Sequence, residues 1–354
     1  MLREGVPGSP QLEISGSGGM AIEIIDDAEL WDEAIDQSPY GRLFHKWEFL
    51  KIIEKHTGYH LYTYGSYKGE RLLGVFPLFY RKNRGVKTVF SPPPRTGVPY
   101  LGFVISKEYD SLKQSKKENE LGYFTDEMEK KFEELSPDYL LINLVPNFLD
   151  ARFFRWNHYL VEPNYTYVID LNKSLEETWN GFHRYLRRDI RSAEDSGFRL
   201  SPGEDVSFFY DMQSRRYDEQ GMIDPLISQG YFSDLVKAYP ENIKVYYLYD
   251  INGEIISSLA VQEYKDKFTG WMGLAKTVEH ANEILIWSLI QLAKAKDFKK
   301  FEIIGANVKN QCPFKSKFNP SLEMNYVIYK KNLKGSAAEW AYVNLIKNKK
   351  LSKL

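Results

Sequence analysis

A chain of 354 residues is too long for one ordinary hydrophobic core and predicts two domains of similar size. Hydrophobic residues make up 43% and charged residues 27%, an ordinary globular balance, and a net charge of −1 excludes a global pull towards nucleic acid or membrane, so any such attraction is local. One cysteine, Cys312, excludes an internal disulfide framework; with no apolar run near the roughly 20 residues of a membrane span and no signal-peptide core, the expected location is cytoplasmic.

Residues 1–19 read as a flexible Gly/Ser/Pro-rich leader or tag, with Met20 as the natural start. An N-terminal domain is expected over 20–157. Asp26–Glu29 resembles a capping box opening a helix with Leu30, Trp31 and Ile35 on its buried side. A second helix, 46–56, carries Trp47, Leu50 and Ile53. A hairpin follows, with strands at 60–67 and 71–80 around Lys68-Gly69, then a strand at 86–90. Three consecutive prolines make the loop 91–102 stiff and non-helical. Residues 113–134 form a solvated helix or loop, and 139–145 a buried strand.

The second domain, 158–332, repeats this order. Ser174–Glu177 is a capping box for one long helix ending at Ser196-Gly197, with Leu175, Trp179, Phe182, Leu186, Ile190 and Ala193 as its buried stripe. Helices at 205–220 and 228–239 precede a hairpin with strands at 243–250 and 254–264 around Asn252-Gly253. The two hairpins lie 184 positions apart, Lys68 to Asn252, which suggests a duplicated domain. A strand at 268–274, a nearly all-apolar helix at 281–296 and a strand at 299–304 form a crossover unit. The start of that helix, near Asn282, offers free backbone N–H groups to an anion. The last segment, 333–354, reads as a basic helix and tail: from Lys330 to Leu354 there are seven lysines and one acid, with Ser336–Glu339 capping a helix that bears Trp340, Val343 and Leu345. It is a docking helix with a solvated tail, or a tether to RNA or a weak peripheral contact with an anionic membrane surface.

Arg184, Arg187, Arg188 and Arg191 fall at i, i+3, i+4 and i+7 and share one helix face, where guanidiniums can receive phosphates bidentately or be exposed charges paired with surface acids. Lys315, between Phe314 and Phe318, is either partly desolvated, which strengthens its pull on an oxyanion or phosphate, or a snorkelling surface lysine. Six scattered histidines and one cysteine show no metal-ligand spacing, so no metal is expected. Neither a Gly-x-Ser-x-Gly elbow, nor a Walker loop, nor a dinucleotide fingerprint is present, and nothing points to DNA.

The run RYLRRDIRSAEDSGFRL, Tyr231-Phe232 before a helix, the crossover unit, FEIIG at 301–305 and FKSKF at 314–318 together resemble the FemAB-like branch of the GNAT acyltransferase superfamily. That branch includes peptidoglycan-precursor aminoacyl transferases and polysaccharide-associated acetyltransferases. The resemblance implies an α+β (mixed α/β) fold of tandem GNAT-like domains, each a twisted mixed sheet flanked by helices. It implies an acyltransferase moving an acyl or aminoacyl group to an amino or hydroxyl group of a cell-envelope, glycan or peptide precursor. Lys315 is then a catalytic residue in the cleft, and Glu302 the expected second one, with Glu219 and Asp224 as further candidates for the base. Arg188, Arg191, Asn282 and Lys317 are expected to bind the donor's phosphates. Tyr100, Tyr217, Trp271, Phe314 and Phe318 are expected to line the substrate groove. The donor is acyl-CoA (acetyl-CoA) or aminoacyl-tRNA. The breadth of the superfamily favours the first; GLAKTVEHAN standing where a Gly-rich pyrophosphate loop would be, with the basic helix and tail, favours the second. A GNAT-like module that binds a glycan or protein without catalysis is the alternative.

Overall fold

The computed structural model describes residues 20–148, 150–194, 197–203, 205–219, 226–276 and 278–347. The leader, Asp224, Ser196 at the expected end of the long helix, and the last lysines of the tail lie outside them.

In the first half β1 (Met20–Ile24) leads to α1 (Ala28–Gln37). The cap of α1 is Asp27, one residue later than the box at 26–29 expects, because its carboxylate accepts from the N–H groups of Glu29 and Leu30 at 2.8 and 3.1 Å. Trp31 and Ile35 are fully buried, but Leu30 faces outward. Next come α2 (Trp47–Thr57), the hairpin β2 (His60–Lys68) and β3 (Arg71–Asn83), and β4 (Val86–Ser91). The proline-rich segment runs to β5 (Val104–Ile105), a short strand beside β3. The lysine- and glutamate-rich stretch is a helix, α3 (Gln114–Leu135), whose inner side carries Leu121, Phe124, Met128 and Phe132. β6 (Tyr139–Asn143), α4 (Arg152–Trp156) and β7 (Leu160–Asp170) complete this half of the chain.

In the second half Ser174 and Glu177 form the expected reciprocal capping box. The single long helix is instead two, α5 (Leu175–Gly181) and α6 (Arg184–Glu194). Phe182 takes an extended conformation, which turns its ring onto Trp287 and Phe318 at 5.3 and 5.4 Å, and the His183 N–H is diverted to the Lys317 carbonyl. The apolar stripe continues across the break, which is why periodicity alone reads one helix. Then follow β8 (Arg199–Gly203), α7 (Val206–Glu219), α8 (Gln229–Ala238), β9 (Ile243–Tyr249), β10 (Ile255–Tyr264), β11 (Lys267–Lys276), α9 (Ala281–Ala295), β12 (Lys300–Ile303), the single turn α10 (Cys312–Lys315), β13 (Ser321–Lys331) and α11 (Leu333–Ala341). The cap of α11 is Asn332, which accepts from Gly335 N–H, so the helix starts before the expected Ser336.

Among the described residues the strands form one sheet in the order β1-β2-β3-β4-β6-β13-β7-β12-β11-β10-β9-β8. Followed inward from either edge, the order is the same. The two hairpins hold matching places, β4 is parallel to β6, and β11 is parallel to β12. This is the duplicated architecture that the hairpin spacing suggests. The centre has no counterpart in the sequence reading. β7 follows β6 in the chain yet pairs with β12, and β13 follows β12 yet pairs with β6. Each half gives its last strand to the other, and these strands pair antiparallel from Ser321↔Val168 to Tyr329↔Leu160. The core of the first half extends over Phe209, Tyr231, Phe232, Trp271 and Met272; a second core lies under α6 and α9.

Candidate active site

β11 and β12 run side by side from Lys267↔Lys300 to Gly270↔Ile303 and then part. Two irregularities in the pairing of β10 with β11, at Ser258/Leu259 and Ala260/Val261, draw β11 into the twist of its other neighbour. β12 meanwhile ends, and Gly305 at φ +103° turns the chain away. The wedge between them is a cavity of about 450 Å³. Its walls are Trp271–Gly273 of β11, Ile303–Gly305 after β12, Asn282 and Ile286 of α9, Arg216 and Tyr217 of α7, Asn310, Gln311, Phe314 and Lys315 around α10, and Gly97–Pro99 from the proline-rich segment.

Lys315 stands at this cavity, only 5% exposed. Its Nζ donates to the Ile304 carbonyl and, at 2.5 Å, to Gln311 Oε1. Pro313 in the first turn of α10 and the edge-to-face pair Phe314–Phe318, 5.6 Å apart, fix the turn that carries it. Glycine is required at 305: a Cβ there would lie 2.5 Å from Lys315 Nζ, and the backbone is left-handed. Burial pulls the pKa of Lys315 down to about 8; the neighbouring Cys312 pushes it up and the Arg216 guanidinium pushes it down again. Arg216 donates to the Gly273 carbonyl at 3.0 Å. Among the described lining residues there are two cations, Lys315 and Arg216, and no carboxylate.

Five of the expected residues meet here: Lys315, Asn282, Tyr217, Trp271 and Phe314. Asn282 Oδ1 accepts from Ser257 at 2.7 Å, and Trp271 Nε1 donates to the Gly97 carbonyl at 2.7 Å. Phe318 is 1% exposed and packs behind the cavity rather than lining it. Glu302 and Tyr100, expected at the site, are elsewhere. Glu302 alternates with Ile303 along β12, so its side chain leaves by the opposite face. It is fully buried, accepts from Tyr100 Oη at 2.8 Å and Thr166 Oγ1 at 2.7 Å, and lies 3.2 Å from Lys267 Nζ. Burial alone would raise its pKa, but Lys267, Thr166 and Tyr100 outweigh this and hold it below the usual carboxylate range. This carboxylate ties the halves together. Glu219, half in solvent at the end of α7, is likewise absent from the lining.

Arg188 and Arg191 stand on the outer side of α6, against Asp189 and over the Trp179 ring respectively. Lys317 is about 4.0 Å from Glu283. Glu283 is buried in the first turn of α9, one Oε without a hydrogen-bond partner, and buried Asp189 lies 3.9 Å from His280 at the cap of the same helix. Two carboxylates thus stand at the positive end of α9. The sequence reading did not single out Arg216. Its signal is in the α7 stripe: Phe209 and Gln213 are buried at i and i+4, and Arg216 and Tyr217 continue that face at i+7 and i+8.

Residues 180–316 match the family model described as "Acetyltransferase (GNAT) domain". The matched segment runs from the end of α5 to just past Lys315 and contains the cavity walls other than Gly97–Pro99, so this segment is similar to the GNAT acetyltransferase domain. The fold is shared with FemX and with tandem GNAT proteins. The crystal structure of FemX superposes with a TM-score of 0.65 at 12% identity, covering 86% of this chain and 96% of that one. L-PGS from Bacillus licheniformis superposes at 0.51 with 12% identity, covering 86% and 92%. A tandem GNAT protein from the clavulanic acid biosynthesis pathway superposes at 0.51 with 10% identity, covering 88% and 98%. No curated protein matches the chain.

Proposed function

We propose that this protein transfers an acyl or aminoacyl group directly from an activated donor to an amino or hydroxyl group of a cell-envelope or glycan precursor. The observation that carries this is Lys315, buried at a cavity between the parted strands of the GNAT domain whose described lining residues include no carboxylate. The acceptor's lone pair attacks the donor carbonyl, and the charge that develops on the carbonyl oxygen is met by the Lys315 ammonium. The tetrahedral oxyanion then collapses, the bond from carbonyl carbon to the donor's oxygen or sulfur breaks, and the proton lost by the acceptor ends on that leaving atom. Direct transfer is supported by Cys312, whose thiol donates to the Ala306 carbonyl at 3.2 Å.

Of the two donors, aminoacyl-tRNA fits better. The pyrophosphate of a CoA thioester set at the start of α9 would meet the carboxylates of Asp189 and Glu283, which weaken the attraction of the helix end even with Arg188 at 2.8 Å from the first and Lys317 about 4.0 Å from the second. FemX and L-PGS as structural neighbours agree with an envelope-related acceptor.

The test is a transfer assay with charged tRNA and with acetyl-CoA as donors and a peptidoglycan precursor as acceptor. Lys315→Ala is expected to lower kcat about 10²- to 10³-fold while far-UV circular dichroism stays unchanged. Turnover with acetyl-CoA alone would overturn the donor assignment. Wild-type protein inert with both donors would favour the non-catalytic binding module.

A further inference from the structure

The outer face of α6 is built differently from the cavity. Arg184, Arg188 and Arg191 point outward, with Arg187 half-buried beside them. Tyr185, 45% exposed, lies between two of them, 4.7 Å from the Arg184 guanidinium and 5.1 Å from that of Arg188. Arg188 also leans on Asp189 at 2.8 Å, yet its own side chain is 68% exposed. The aliphatic residues of the helix, Leu186 and Ile190, are wholly turned to the core. The outward surface is therefore guanidinium and aromatic ring, without hydrocarbon to insert into a bilayer.

We infer that this face seats the RNA of the donor, close to its aminoacylated 3′ end. Guanidiniums hold phosphate oxygens in a planar fork, and an exposed ring flanked by guanidiniums stacks an unpaired base of any identity. From Arg184 to Arg191 the helix rises about 10 Å, enough for about three phosphates of a stacked strand at ~3.4 Å each. The helix is also placed for delivery. At its start the His183 N–H bonds the Lys317 carbonyl, on the loop that carries Lys315. Midway, Asp189 faces His280 at the head of α9, whose Asn282 lines the cavity. A strand lying along α6 is thus held on a helix tied both to the loop that carries Lys315 and to the head of α9. The inference rests on the aminoacyl-tRNA reading above and adds where that donor binds.

Fluorescence anisotropy would test it, with deacylated tRNA and a single-stranded 12-nucleotide RNA ending in CCA as probes over a salt series. The variants are Arg184→Glu/Arg188→Glu, the milder Arg184→Gln/Arg188→Gln in case the first fails to fold, and Tyr185→Ala. Both double variants are expected to weaken binding, the glutamate pair at least tenfold, and to flatten the slope of log affinity against log salt by about 0.7 per arginine for the single strand. Tyr185→Ala is expected to weaken the short RNA about 5- to 100-fold with little change of slope. In transfer assays the double variants should raise KM for aminoacyl-tRNA and leave kcat at saturation near that of the wild type. Variants that bind and react like the wild type overturn the α6 seat while leaving the donor reading intact. A wild type that binds neither RNA and uses acetyl-CoA overturns both. Arginine-dependent binding to vesicles of anionic phospholipid, with no binding of RNA, would make α6 a membrane contact instead.

Discussion

The two halves share one framework and use its central gap in opposite ways. In the second half β11 and β12 part beyond Gly270 and Ile303, and the wedge stays open as the cavity. In the first half β4 and β6 are parallel over the matching stretch, Thr88↔Tyr139 to Ser91↔Ile142, and the space beyond is filled. The proline-rich segment occupies it: Leu101 N–H bonds the Asn143 carbonyl, Gly102 N–H bonds Ser91 Oγ, and Leu101 and Phe103 are buried. The filled half still serves the open one. Gly97–Pro99 of the same segment form a cavity wall, and Tyr100 beside them reaches across to Glu302. A duplicated fold has kept two gaps in outline and spent one of them on shaping the other.

The strongest way to break this comparison is to cut the tie between filler and open half. Glu302→Gln keeps the shape but leaves Lys267 buried with only Glu323, 3.9 Å away, as a nearby carboxylate. Removing one member of a buried pair costs about 3–5 kcal/mol, to be read from urea unfolding; a loss under about 1 kcal/mol would mean that this cluster does not join the halves. The pH dependence has a defined sign. Because the folded carboxyl titrates below its usual range, its contribution is present above the unfolded value of about 4.3 and is lost as pH falls through the folded one, so wild type and variant should converge on acidification. Somewhat smaller is the effect of emptying the filled gap: Leu101→Ala should cost about 3 kcal/mol and leave kcat unchanged, since Lys315 is on another wall.

Much of this arrangement is legible in the chain, and the illegible parts share a cause. α1, α2, both hairpins, the nearly all-buried α9 and the Lys315 turn follow from local periodicity and turn chemistry. β7 and β13 do not. Residues such as Glu162, Asn164, Glu323 and Asn325 break the apolar alternation because the partner strand comes from the other half, so their environment is set by long-range exchange rather than by neighbours in sequence. The place of Glu302 is hidden in the sequence for a related reason. A glutamate at the end of a buried strand looks catalytic until its face is known, and that face is fixed by the register of β12 with β7.

The open half itself can be sharpened through Lys315. With a pKa near 8, its ammonium form is lost as pH rises through that value. If it stabilises the oxyanion, the Lys315-dependent part of kcat should fall about tenfold per pH unit above 8, and Lys315→Arg, which stays charged, should flatten that limb. A rate that rises through pH 8 would instead assign the neutral amine as the base.

The smallest expected effect tests whether the filled half merely touches the cavity or sets its width. Trp271 is the joint between them: its ring packs 6.0 Å from Phe44 and 6.0 Å from Phe232, and its N–H holds the Gly97 carbonyl at 2.7 Å. Trp271→Phe keeps an aromatic ring in the cluster and removes that one donor. The stability cost should be about 1 kcal/mol, a small shift in the denaturation midpoint. With that hydrogen bond gone, the 97–99 wall keeps its packing and the bond from Asn143 Nδ2 to the Pro99 carbonyl at 3.3 Å, and KM for the acceptor should rise a few-fold. The Lys315 side of the wedge is anchored independently by Gln311 and the Ile304 carbonyl, so kcat at saturation should not follow. An equal fall in kcat would show that the two walls move as one, and that the apparent division between a shaping half and a reacting half is not how this molecule works.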